Sequence, residues 1–336
     1  MRGTTRVLLV VFALTLVASL VPSSDGTSKA AEAADVTPEI MFGTNVGSSS
    51  TETMQENVLS TEADLGRELA AVRVYEKWGV AFPSNSHQWL ANTGHTMYLS
   101  VKSMRYNGQI IKWNDIATAQ PGDQLYSDMV QMGNRFRNFG QPIYFIFNHE
   151  PEAQASRTMG TNEDFKAAWR KIHDVFDSVG ATNVRYTWVM TGWAFRTSPS
   201  DDRYAKKWYP GNPYVDEIGA DPYNWYDCQE DDYPWRDAEF SLDPIRVFGK
   251  RHPHKELMLA EYATVEDRDN AGRKATWLSD MTTLLKQPGW EQFHTILYYH
   301  SVGTSEPNCV WKFDTSAQAA NALSDMGADP YYKAVE

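Results

Sequence analysis

Cysteine is nearly absent: the 336 residues hold two, Cys228 and Cys309. That excludes a disulfide-dense mini-scaffold, and their wide separation excludes a metal knuckle. Basic residues are outnumbered, 31 against 43 acidic, for a net charge of −12. A chain of that sign matches phosphate backbones poorly, so no nucleic-acid partner is expected. There is no G-x-G-x-x-G fingerprint, no P-loop and no G-x-S-x-G element, so nothing calls for a nucleotide cofactor or signals an esterase. After residue 36 there is no linker, repeat or low-complexity tract, and no run approaching the length of a membrane span. What the chain has in plenty is aromatic side chains, 13% of residues with 12 Trp among them, enough for a large core or for surfaces that stack on flat ligands.

The amino terminus has its own pattern. Arg2 and Arg6 precede an apolar stretch from Val7 to Val21, closed by Pro22 and Gly26. Ala31-Glu32-Ala33 is a small-x-small site, so residues 1–33 are expected to be a cleaved signal peptide. A cut near Ser24 and an uncleaved anchor are the alternatives. With cleavage the protein is secreted and extracellular, with no membrane association. In an exported chain two cysteines read as one Cys228–Cys309 disulfide, with two free buried thiols as the alternative.

From residue 36 to 336 the chain reads as one domain of alternating strands and helices. Short apolar runs recur at Ile40–Asn45, Ala70–Tyr75, Thr96–Val101, Pro142–Phe147, Val184–Met190, Val215–Ala220, Glu256–Ala260 and Phe293–Tyr299. Several are continuous rather than alternating, as strands covered on both faces are. Helical stripes lie between them. Over Glu163–Val179, Phe165, Ala168, Trp169, Ile172, Val175 and Phe176 share one face. Thr161 with Asp164 forms a start like a capping box, and Gly180 stands where a helix stops. Lys274–Lys286 repeats the pattern. Eight strands with helical intervals predict a single α/β domain, a (β/α)8 TIM barrel; an open doubly wound sheet is the alternative.

In such a barrel the site forms at the carboxyl ends of the strands. The fourth run ends in Asn148-His149-Glu150, and the seventh in Glu261-Tyr262. An ionised carboxylate there is costly unless paired or used. Two inward side chains from those strands can approach to about 5–5.5 Å, the spacing of a retaining glycosidase. Arg73, inside the second run, needs a carboxylate partner, and Glu261 is the candidate. His149 can orient Glu150 or contact sugar hydroxyls. Tyr223 can donate to Glu261, and Asp221 can accept from a sugar hydroxyl. Trp78, Trp188, Trp193, Trp225, Tyr299 and Trp311 fall near strand ends, and sugar C–H patches pack on aromatic faces. The acidic loop at Asp227, Glu230, Asp231 and Asp232 is expected to be solvated, with calcium as the alternative; no metal is otherwise expected.

Four blocks in order resemble glycoside hydrolase family 26, within clan GH-A. They are Leu65-Gly66-Arg67 through Trp78; Gly140 through Val189; Tyr209-Pro210-Gly211 through Tyr223; and Leu257-Met258-Leu259-Ala260-Glu261. The resemblance implies a retaining endo-glycanase with Glu150 as acid/base and Glu261 as nucleophile. It also implies a polysaccharide substrate, most often β-1,4-mannan, with xylan or mixed-linked glucan as alternatives. Arg73, His149, Asp221, Tyr223, Trp225, Trp193, Tyr299 and Trp311 then become substrate-binding candidates. No cofactor is implied, and a monomer is expected. The stretch Pro151–Arg157 differs from the family's mannanases, where a glycine and aromatics usually follow the acid/base. A glycan-binding protein without turnover on the same barrel is the reading from another class.

Overall fold

The computed structural model describes residues 40–45, 53–228, 233–303 and 308–335; the expected signal segment lies outside them. Eight parallel strands form the barrel: β1 Ile40–Asn45, β2 Ala71–Lys77, β3 Thr96–Lys102, β4 Ile143–Phe147, β5 Val184–Thr191, β6 Glu217–Asp221, β7 Glu256–Thr264 and β8 Phe293–Tyr298. Each pairs with its sequence neighbour, and β8 pairs back onto β1 from Met41↔Thr295 to Thr44↔Tyr298, closing the ring. Two-residue strands are added at Tyr223–Asn224, beside the end of β7, and at Tyr332–Lys333, beside β1.

At least one helix follows every strand, as right-handed parallel crossovers require. They are α1 Met54–Leu65, α2 Asn85–Asn92, α3 Trp113–Thr118, α4 Gln124–Phe139, α5 Asn162–Ser178, α6 Ala205–Trp208, α7 Ala238–Gly249, α8 Arg273–Leu285 and α9 Ala317–Ala328. α5 shows why. Thr161 and Asp164 make a complete capping box, the predicted apolar stripe is buried, and Gly180 follows at φ 76°.

The strands carry two cores. Outward side chains such as Val72, Val74, Phe145, Phe147, Leu257 and Leu259 pack against the helices. Inward ones, Met41, Tyr98, Ile146, Val189, Met258, Ala260 and Leu297, fill the barrel. Gly43 marks where β1 and β2 approach most closely: a Cβ there would stand 1.9 Å from the Ala71 carbonyl oxygen. Several expected edges move, most at β6 and β7. Val215 and Asp216 precede β6, which begins at Glu217, and β7 runs on to Thr264. A disulfide joins Cys228 and Cys309, linking the loops after β6 and β8 across 81 residues of sequence.

Candidate active site

After β4 the chain turns sharply through Asn148, His149 and Glu150. Asn148 and Glu150 both occupy the left-handed region, at φ 43° and 50°, a strained conformation for residues with a Cβ. Specific bonds hold it. Asn148 Oδ1 accepts from the Ser103 amide at 3.1 Å and the Ser103 hydroxyl at 2.9 Å. The Glu150 amide donates to the Val189 carbonyl on β5 at 3.0 Å. The turn leaves Glu150 lining a cavity with Lys102, His149 and Ser156.

Glu261 reaches the mouth by another route. Along β7, Leu257 and Leu259 face the helices while Met258 and Ala260 face the interior. Strict alternation would send Glu261 outward. The register against β8 slips between Leu259 and Tyr262, and Glu261 points inward beside Ala260, as a bulge allows. There it is held from three directions. Tyr75 donates to Oε1 at 2.6 Å, Arg73 Nη1 lies 3.1 Å from Oε1, and Tyr223 donates to Oε2 through a short hydrogen bond. Burial pushes both tyrosine hydroxyls well above their usual range, so they stay protonated as donors.

Arg73 is wholly buried beneath this carboxylate. It donates to Ser100 Oγ at 3.1 Å and to the Ala260 carbonyl at 2.8 Å, and it pairs with Asp221 at 3.3 Å. Three further carboxyl groups, Glu150, Glu152 and Asp221, surround the same centre as Glu261. One guanidinium cannot offset four carboxyls, three of them buried, so the site retains protons. Glu150 is raised well above the usual carboxyl range, first by burial and then by the charges of Glu261 and Glu152. Asp221 is raised by burial and by Glu261. Burial holds His149 well below the usual imidazole range, with Arg73 and Lys102 adding to it, so the ring is neutral; it packs edge-on against Tyr75 at 5.5 Å.

The aromatic wall stands beside Glu261. Tyr223 meets Trp311, Trp225 and Tyr299 at 4.8, 5.5 and 5.7 Å between ring centres. Trp225 and Tyr299 are half-buried, while Trp193 on the turn after β5 is 54% exposed. These rings and the two glutamates are thus brought to one face. Three candidates for substrate contact are corrected. The side chains of Arg73 and Asp221 have no exposure, because each serves as the other's counterion under Glu261. Trp311 is 2% exposed and packs behind Tyr223 and Trp225. Trp78 and Trp188, read as strand-end aromatics, are core residues.

Tyr75, Ser100, Lys102, Asn148 and Glu152 join the site unforeseen. Tyr75 had a signal: it lies two residues beyond Arg73, on the same strand face. Among the described residues, Glu217, Glu256 and His294 bring ligand atoms within 4.8 Å of one another. They sit at the opposite, amino-terminal end of the barrel. Glu217 already accepts from Tyr98 and Thr187, and Glu256 pairs with Arg185. Of the acidic loop, Asp227 pairs with Arg268 at 3.5 Å; Glu230, Asp231 and Asp232 lie outside the described residues.

A closed parallel barrel with glutamates at the ends of β4 and β7 is a (β/α)8 fold with two carboxyl groups at its mouth. The profile of glycosyl hydrolase family 26 matches residues 109–236 of this chain. Endoglucanase H of Acetivibrio thermocellus is 22% identical over 275 residues, which are 77% of this chain and 27% of that protein. The chain thus spans about a quarter of that relative's length. A family 26 β-mannanase of Bacteroides ovatus superposes with a TM-score of 0.59 at 15% identity, covering 88% of this chain and 90% of the other. The catalytic domain of an endo-β-1,4-mannanase from a Bacillus species superposes at 0.60 and 14% identity, covering 88% of each. These likenesses establish the fold.

Proposed function

We propose that the protein is a secreted, retaining endo-glycanase acting on a β-linked polysaccharide, β-1,4-mannan first. The observation that carries this reading is the contrast between the two glutamates. Glu150 sits where burial and neighbouring carboxylates favour its protonated form. Glu261 accepts from two tyrosine hydroxyls and lies against a guanidinium. An acid ready to protonate a leaving oxygen thus faces a carboxylate ready to attack the anomeric carbon. Glu261 forms the glycosyl-enzyme as Glu150 gives its proton to the departing sugar. Glu150 then takes a proton from the water that attacks the intermediate and releases Glu261. Trp193, Trp225 and Tyr299 offer faces on which sugar rings can pack.

Two of the solved structures it resembles are mannanases, which supports mannan as substrate. The name of the endoglucanase relative favours a second reading, a β-glucan substrate in the same cleft. The Arg2–Ala33 pattern supports export, and a disulfide suits an oxidising compartment. The test is reducing-end release from mannans, xylans and mixed-linked glucans, with Glu261→Ala as control and the anomer of the first product read by NMR. Release that the substitution abolishes, with retained configuration, is expected. Inversion would remove Glu261 from the nucleophile role, and retention of a polymer without release would make the protein a binder.

A further inference from the structure

Glu152 makes and breaks no bond in the chemistry above, yet it is 2% exposed. Its Oε1 accepts from the Thr191 amide at 2.8 Å and the Thr191 hydroxyl at 2.6 Å. Its Oε2 is buried with no hydrogen-bond partner. A glutamine would serve Thr191 as well without a buried ionisable oxygen, so the carboxyl is not explained by packing.

Two features suggest its use. The chain from Glu150 to Glu152 is fastened to alternate residues of β5, Glu150 to Val189 and Glu152 to Thr191. Thr191 also caps the short turn Gly192–Phe195 by accepting from the Ala194 amide at 3.2 Å. That turn carries the exposed Trp193 and packs tightly on Pro222: a Cβ at Gly192 would stand 2.9 Å from the Pro222 Cα. Glu152 therefore ties the strained Glu150 turn to an aromatic platform. We propose that Glu152 is a positioning residue for glycoside cleavage, fixing the Glu150 turn against β5 and acting on the Glu150 proton through its own negative charge. This rests on Glu150 being the acid/base.

The charged surroundings are consistent with it. Glu150 faces Glu261 from β7, Arg73 from β2, Lys102 from β3 and Glu152 from its own loop, with Tyr299 beyond β8. Glu152 faces Arg203, itself paired with Asp201, and adds to the field at Asp221 on β6. His149 is neutral. Burial pushes Glu152 up to about 7, against the Thr191 hydrogen bonds. Above that pH its charge opposes loss of the Glu150 proton, and the two groups titrate in coupled steps.

The test compares wild type, Glu152→Gln and Glu152→Ala in the full-length protein. The Gln variant keeps an acceptor for Thr191 and loses the charge; the Ala variant loses both. The first readout is the carboxyl carbon-13 NMR titration of Glu150, which needs no substrate. A lower midpoint and a simpler curve are expected in Glu152→Gln. The second is the pH profile of kcat/KM, in which the basic limb should move to lower pH. Glu152→Gln should lose about tenfold more activity at pH 8 than at pH 5.5, by the repulsion removed. In Glu152→Ala, kcat/KM should fall about 10²-fold at every pH, the scale of a misplaced acid. An unmoved Glu150 titration overturns the proposal, even if both variants lose activity uniformly, because Glu152 would then be structural only. A wild type inactive on every polymer sinks the hydrolase reading instead, while the titration still decides whether Glu152 acts on Glu150.

Discussion

At the scale of single residues the site is a problem of holding one carboxylate still. Glu261 has two tyrosine donors and a guanidinium partner, and each removes a direction in which it could swing. Tyr75→Phe deletes one donor and leaves the ring packed over Arg73 at 4.8 Å. Removing a donor of this kind costs about 10²-fold in kcat. Steady-state kinetics on the accepted polymer should show that loss with an unchanged circular dichroism spectrum; a loss under twofold would remove Tyr75 from the support of Glu261. The Arg73–Glu261 pair was legible in the sequence because a guanidinium in an apolar strand demands a counterion. Tyr75 is legible by the same periodicity, two residues further along the same strand face. The role of Asp221 is not legible, because its residue type suits either a sugar hydroxyl or an arginine, and only the fold shows that Arg73 takes it.

At the scale of elements the two glutamates owe their aim to two irregularities. On β4 it is the left-handed pair at Asn148 and Glu150. On β7 it is the register slip before Tyr262. The strands themselves were readable, since buried parallel strands are continuous apolar runs, and α5 was readable from its stripe and capping box. The irregularities were not. Neither Asn148 nor Glu150 is a glycine, and the run Leu257–Ala260 contains nothing that marks where alternation breaks. Asn148 is replaceable only at a cost. Asn148→Ala keeps the positive φ, which costs about 1–2 kcal/mol for an ordinary residue. It also strips the acceptor from Ser103, for about 1–3 kcal/mol more. Urea unfolding should register a loss of about 2 kcal/mol or more, since asparagine tolerates this conformation better than alanine. With Glu150 mis-aimed, kcat should fall further than KM rises. A variant as stable and as active as wild type would show that the turn is not held by Asn148.

At the scale of the whole molecule the site leaves a thermodynamic signature. Glu152 is raised to about 7, and Glu150 and Asp221 are raised well above their usual values. Buried Glu217 at the barrel floor is raised too, and its neighbour His294 is raised by that carboxylate against the opposing effect of burial. A group raised on folding adds stability below its unfolded pKa and loses it as pH climbs through its folded value. All five therefore act in one direction. Three histidines act in the other: His87 and His300 are lowered to about 4 and His149 well below the usual imidazole range, each chiefly by burial. Their contribution is fully present above the unfolded imidazole value and is lost as pH falls from there toward the folded value, so past it they add no slope with pH. Lys274, lowered to about 8 by burial, begins to oppose the carboxyls only near and above that pH. Between about pH 6.5 and 7.5 the raised groups dominate, so the folded state binds more protons than the unfolded chain and stability falls as pH rises. Differential scanning calorimetry should show Tm declining across that interval, and declining less in Glu152→Gln, which lacks one of the titrating groups. A Tm that is flat or climbs would mean that the site does not retain protons on folding, and that Arg73 and Lys102 offset the carboxyls after all.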